Sequence, residues 1–156
     1  MTPEEKICAI CTEKKLTLAV AESCTGGRVA SRLTKVPGTS RYFLGSVVAY
    51  APLWKEKMLG VSTRTLAAKG AASVDVAKEM VRGLLGHTTA DVALAITGEA
   101  GPEASSSMAP VGAVHIALLF RGKSPQTHSL DLRGGREEIL QKATDEALRL
   151  LQEFVQ

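Results

Sequence analysis

Leu16-Thr17-Leu18-Ala19-Val20-Ala21-Glu22-Ser23-Cys24-Thr25-Gly26-Gly27 is an apolar run that passes directly into a polar turn closed by two glycines. Leu16 to Ala21 reads as a buried strand, and the residues after the turn, Arg28 to Leu33, read as the body of a helix. A strand, a glycine-rich turn and a helix in that order are the unit of an open α/β sheet. Ligands in such sheets collect beyond the carboxyl ends of strands, so the polar cluster from Glu22 to Gly27 is well placed for function. The glycines free the first N–H groups of the helix to approach an anion, either a phosphate or an oxyanion. A plainer reading is a capped turn in which Ser23 or Thr25 satisfies backbone donors. The pattern alone leaves both open.

The rest of the chain repeats the alternation. Thr2-Pro3-Glu4-Glu5 starts a helix with a capping hydroxyl, a first-turn proline and carboxylates near the positive end of the dipole. Leu44 to Tyr50 and Asp91 to Thr97 are further strands, with short helical character from Lys55 to Leu59 between them. Ser62 and Ser73 are N-caps, the second opening a helix that ends near Gly86. A loop rich in Gly, Pro and Ser runs from Gly98 to Ala109. Val111 to Phe120 and Gln126 to Leu132 are two strands joined by a short turn at Gly122 and Pro125, hence an antiparallel pair. A final helix spans about Arg136 to Glu153. These elements predict one domain over residues 1–156, an α/β fold: a three-layer α/β/α sandwich on a mostly parallel mixed sheet with one antiparallel pair.

Composition narrows the function classes. The 156 residues carry a formal charge of +3 and only 4% aromatics, with basic and acidic side chains interspersed. That profile argues against a nucleic-acid groove and suits a small anionic ligand. No apolar run approaches the roughly 20 residues needed to cross a bilayer, and Met1 to Lys6 does not read as a signal peptide. Three cysteines, an odd number, favour a reducing compartment, so a cytoplasmic protein is expected. Cys8 and Cys11 form a C-x-x-C within a helical stretch, but no second ligand pair accompanies them and His87, His115 and His128 are scattered. No metal and no cofactor are indicated.

Two more polar sites end strands. Tyr50 closes Val47-Val48-Ala49 with Lys55 five residues on, and Thr97-Gly98 closes Leu94-Ala95-Ile96. A serine hydroxyl needs a neighbouring base, and without a Ser–His–Asp set a lysine of depressed pKa can serve. Tyr50 would relay a proton or orient that lysine. The plain readings are a solvated Lys55, an amphiphilic strand-end Tyr50 and a capping Thr97.

Together these segments resemble a known family. Glu22-Ser-Cys-Thr-Gly-Gly27, Val36-Pro-Gly-Thr-Ser40, Val48-Ala-Tyr with Lys55 and Leu59-Gly-Val61, Gly70-Ala-Ala-Ser73, Thr97-Gly-Glu-Ala-Gly-Pro102 and Pro110-Val-Gly112 are similar, in order and spacing, to the C-terminal CinA family, also called nicotinamide-nucleotide amidohydrolases. The resemblance implies a metal-free Ser/Lys amidohydrolase that converts nicotinamide mononucleotide to nicotinate mononucleotide and ammonia. By motif it assigns Ser23 as nucleophile, Lys55 as general base, Tyr50 as its helper and Thr97 as a catalytic-site residue. Thr25, Gly26, Gly27 and Gly98 are then expected to bind substrate, and Cys24 to pack. It also implies a homo-oligomer acting on a pyridine mononucleotide, with neither membrane nor nucleic acid as partner. The chain departs from the family's pattern at Glu99, at Glu103-Ala104-Ser105, at Ala109 and at Leu140, which bears on specificity. Those departures sustain a second expectation, a nucleotide-binding or regulatory module without turnover. A third, an interaction scaffold, requires an exposed apolar patch.

Overall fold

The computed structural model describes residues 1–156. Helix α1 (Pro3–Lys14) precedes β1 (Leu18–Glu22), α2 (Arg28–Thr34), a 3-10 turn (Thr39–Arg41) and β2 (Phe43–Val48). Three helices follow, α3 (Pro52–Leu59), α4 (Thr63–Lys69) and α5 (Val74–Gly86), then β3 (Val92–Gly98), β4 (Ala113–Phe120), β5 (Gln126–Asp131) and α6 (Arg136–Val155). The expected caps are made. Thr2 and Glu5 form a capping box, the Thr2 hydroxyl accepting from the Glu5 N–H at 3.2 Å while the carboxylate accepts from the Thr2 N–H at 2.7 Å. Ser62 and Ser73 accept from the N–H groups of Arg64 and Val76.

The sheet order is β2-β1-β3-β4-β5. β1 is parallel to both β2 and β3, while β4 is antiparallel to both β3 and β5. The α/β/α sandwich and its mostly parallel mixed sheet are as expected, but the single antiparallel pair is corrected to two pairings, both made by β4. The reason is the connection. Between β3 and β4 the chain has a loop and no crossover helix, so it can only return antiparallel.

The two faces of the sheet carry side chains of different size, and that sets the layers. Leu18, Val20, Leu94, Ile96, Ile116 and Leu118 pack on one side with buried residues of α1, α2 and α6. Ala19, Ala21, Ala93, Ala95 and Ala117 face the other side, against Val76, Ala77, Met80, Val81 and Leu84 of α5. This is the period-2 alternation of strands, resolved into a bulky face and an alanine face. The alanine face lets α5 lie close to the sheet, with Leu59 at the end of α3 and Val61 beyond it sealing the same core. None of the helices is long and apolar enough to cross a membrane.

The close approach reaches its limit at Gly83, where an added Cβ would stand 1.6 Å from the Leu59 carbonyl oxygen. Alanine is the better helix former, yet Gly83→Ala is expected to destabilise the protein by about 2 kcal/mol or more, because backbone rather than a flexible side chain must move. Denaturant unfolding of the two proteins checks this. Equal or greater stability of the alanine variant would refute the contact.

Candidate active site

The turn after β1 is organised by Glu22, whose side chain is fully buried. Its Oε1 accepts from the Thr25 hydroxyl at 2.7 Å and from the N–H groups of Gly27 at 3.2 Å and Val29 at 3.0 Å. Its Oε2 accepts from the Ala30 N–H at 3.1 Å. The protein has thus filled the anion site at the start of α2 with its own carboxylate, where the helix dipole favours negative charge. Gly26 and Gly27, at φ +57° and +107°, let the chain wrap around that carboxylate. Gly26 itself donates to the Ser23 carbonyl at 3.0 Å. The Thr25 hydroxyl and the N–H groups of Gly26 and Gly27 are therefore engaged internally, and none of the three residues lines the cavity described below. In the sequence Glu22 stands only as the first residue of the polar cluster that ends at Gly27. An acidic residue ending an apolar strand just ahead of a helix start was the available signal.

The same turn aims Ser23. Its N–H donates to the Ile96 carbonyl at 3.0 Å, and the Ala49 N–H donates to the Glu22 carbonyl at 2.8 Å, so the turn is held between the ends of β3 and β2. The N–H groups of Cys24 and Thr25, by contrast, meet no backbone carbonyl and lie toward the Cys24 sulfur. Burial pushes the Cys24 thiol up to about 11, which keeps it protonated at neutral pH and a poor nucleophile.

Lys55 stands on the second turn of α3, a helix opened by Pro52, and its side chain runs inward until only 1% is exposed. Its Nζ lies 2.7 Å from Ser23 Oγ, 3.0 Å from the Ala49 carbonyl oxygen and 2.9 Å from that of Tyr50. Burial lowers its pKa from 10.5 to about 8, against a weaker upward pull from Glu99. As a neutral amine it donates to the two carbonyls and keeps its lone pair on the Ser23 hydroxyl. That is the geometry of a base poised on a nucleophile.

Ser23 and Lys55 open into a cavity of about 630 Å³ that is also lined by Cys24, Tyr50, Thr97, Gly98, Glu99, Met108 and Arg136, among others. Tyr50 helps Lys55 through its backbone carbonyl. Its hydroxyl is turned to the cavity rim, where it accepts from Arg136 Nη2 at 3.0 Å. Thr97 is buried and donates to the Ala71 carbonyl at 2.8 Å, fastening the Gly70–Ser73 turn as one wall. Gly98 is dictated by packing, since a Cβ there would lie 2.7 Å from the Ala113 carbonyl oxygen.

Of the departures from the family pattern, Leu140 belongs to the core beneath α6, and Ala109 is buried but outside the cavity lining. Glu99 lines the cavity, and so does Arg136, whose Nη1 donates to the Gly101 carbonyl at 2.7 Å and which has no carboxylate partner. In the sequence Arg136 marks only the start of the final helix. Nothing local places it beside Tyr50, 86 residues away.

Comparison with known proteins gives one family. The model of the CinA C-terminal domain matches residues 1–155. A CinA-like protein of Geobacter sulfurreducens is 50% identical over 120 residues, which cover 77% of this chain and 29% of that protein. One from Chlorobium limicola is 42% identical over 152 residues, covering 95% of this chain and 35% of its own. The chain spans about a third of the length of the curated relatives it matches. The crystal structure of the competence/damage inducible protein CihA from Agrobacterium tumefaciens superposes with a TM-score of 0.94 at 37% identity, over 99% of this chain and 94% of that one.

The lysine environment has a direct readout. With lysines labelled at Cε, one resonance is expected to titrate near pH 8 and to vanish in Lys55→Met. A spectrum in which no lysine titrates below pH 9.5 would show that Lys55 is solvated and cannot act as a base at neutral pH.

Proposed function

The chain belongs to the CinA C-terminal domain family, and from that premise we propose that it is an amidohydrolase, deamidating nicotinamide mononucleotide to nicotinate mononucleotide and ammonia through Ser23 and Lys55. The observation that carries the reading is the buried Lys55 amine, 2.7 Å from Ser23 Oγ with two backbone carbonyls holding its other contacts. A lysine serving only structure or solubility gains nothing from desolvation beside a serine.

The steps balance. Ser23 Oγ bonds to the carboxamide carbon as its proton passes to Lys55 Nζ. Collapse of the tetrahedral intermediate breaks the C–N bond, and Lys55 returns the proton to the departing nitrogen, which leaves as ammonia. A water then gives one proton to the same amine as its oxygen attacks the ester carbonyl. The amine passes that proton to Ser23 Oγ as the C–O bond breaks, and the acid product loses its remaining proton to solvent and leaves as the carboxylate. An amide needs its developing oxyanion stabilised, and the N–H of Cys24, the cavity-lining residue next to Ser23, is the donor assigned to it. This replaces the Gly26–Gly27 donors, which serve other acceptors. Arg136, a cation at the rim without a carboxylate partner, is assigned to the ribose phosphate. Thr97 and Gly98 shape the wall the substrate lies against.

The reading extends to self-association. β2 is an open sheet edge with Leu44 and Val48 exposed, and neighbouring α3 exposes Leu53, Trp54 and Met58. An uncovered edge beside apolar side chains is suited to a second copy of the chain. Sedimentation equilibrium is expected to give a dimer for the wild type and a monomer for Trp54→Glu; a monomeric wild type would refute it.

Ammonia release from nicotinamide mononucleotide tests the reaction. Turnover is expected to fall by a factor of about 10³ or more in both Ser23→Ala and Lys55→Met. Because the base must be unprotonated, kcat/KM should be lost as pH falls through about 8, roughly tenfold per unit, and level off above it. Folded variants that keep full activity would overturn the assignment. Thermal stabilisation by the nucleotide without ammonia release would identify a binding module instead.

A further inference from the structure

Glu99 is a second carboxylate that the deamidation steps leave unused. It follows Gly98 at the end of β3, and its backbone is pinned on both sides: its N–H donates to the Ala113 carbonyl at 2.9 Å, and its carbonyl accepts from the Gly112 N–H at 2.7 Å. Only 9% of the residue is exposed, yet it lines the same cavity as Ser23 and Lys55. Both carboxylate oxygens are held by Ser105, Oε2 by its N–H at 3.1 Å and Oε1 by its hydroxyl. No lysine or arginine pairs with it. A buried carboxylate with two neutral donors and no cation keeps most of its field, and in a partly desolvated cavity that field is weakly screened.

The field has a direction within the cavity. Glu99 is the buried carboxylate of the cavity wall, whereas the cation Arg136 stands at the exposed rim between Tyr50 and Gly101. Glu103 lines the cavity too, but it is exposed to solvent. The cavity therefore holds a buried negative charge in its wall and an exposed positive charge between Tyr50 and Gly101. A neutral ring carrying the amide gains nothing from Glu99 and costs its carboxylate some hydration. A cationic ring meets a charge that is already fixed by Ser105 and needs no reorganisation.

We infer that Glu99 is a specificity residue that selects amides borne on a positively charged aromatic ring and directs the anionic end of the substrate toward Arg136. The inference rests on the amidohydrolase reading for the placement of the amide at Ser23. Glu99 acts on the ring and takes no part in bond making. Its clamp on Ser105 also orders the cavity wall, so a purely positioning role is the alternative to be separated.

The test compares nicotinamide mononucleotide with its reduced form, which keeps the carboxamide and the phosphate but has an uncharged dihydropyridine ring. Dissociation constants for both are measured by calorimetry on the full chain of the wild type, Glu99→Gln and Ser105→Ala, with ammonia release followed in parallel. The wild type is expected to bind the charged ring about tenfold more tightly than the neutral one. Glu99→Gln should bring that ratio near one by weakening only the charged ligand. Ser105→Ala, which keeps the carboxylate, should preserve the ratio even if both ligands bind more weakly. A wild type without preference, or a Glu99→Gln protein that loses both ligands equally or keeps the preference, overturns the inference. Preference without ammonia release from the wild type refutes the reaction and leaves charge selection standing. Ammonia release without preference does the reverse, and failure to bind either ligand refutes both.

Discussion

The fully buried carboxylate of Glu22 is the constraint from which the site is built. A charge with no contact to solvent must be answered, and here the first N–H groups of α2 and the Thr25 hydroxyl answer it. In doing so they join the end of β1 to the start of a helix through a turn of fixed shape. Ser23 rides on that turn, further tied to the ends of β2 and β3. Ser23 thus inherits its position from a structural charge one residue away. The anion site that such turns commonly offer to phosphate is spent on folding.

Burial does the second part of the work by tuning the Lys55 amine. Lys55 enters beneath the end of β2 and exchanges water for two carbonyl oxygens and one hydroxyl. Those partners suffice for a neutral amine and are meagre for an ammonium, which is why its pKa falls toward neutrality. The packing that makes this possible is the alanine face of the sheet. Small side chains at Ala19, Ala21, Ala93 and Ala95 bring α5 down on the strands, and Gly83 lets it touch the end of α3, the helix that carries Lys55. Core packing and base strength are therefore linked through one helix.

The loop between β3 and β4 forms one side of the cavity. Having no crossover helix, it folds back over the strand ends and is held by Glu99 to Ser105 and by Arg136 to Gly101. Two charges of opposite sign end up on one cavity, each fixed by neutral partners rather than by each other. Such an arrangement leaves both fields available to a ligand that carries separated charges of its own.

Much of this could be read along the chain. The strands from Leu16, Leu44, Asp91, Val111 and Gln126 all exist with shifted ends, and the caps at Thr2, Ser62 and Ser73 are where hydroxyl and carboxylate spacing put them. Such features are local: periodicity and capping act over a few residues, and the chain reports them directly. Ser23 and Lys55 were legible as candidates because each follows a strand end within a recognisable motif. Their meeting at 2.7 Å was not, nor were the second antiparallel pairing of β4, the capture of the Gly27 N–H by Glu22, the engagement of Thr97 with Ala71 and the contact of Arg136 with Tyr50. Each depends on which elements become neighbours and on which polar groups find partners inside the protein before a ligand arrives. Sequence by itself determined the elements, the layer class and the reactive residue types. Tertiary structure alone decided which donors are spent and which charge is desolvated, because hydration and pairing are properties of an environment that distant segments build together.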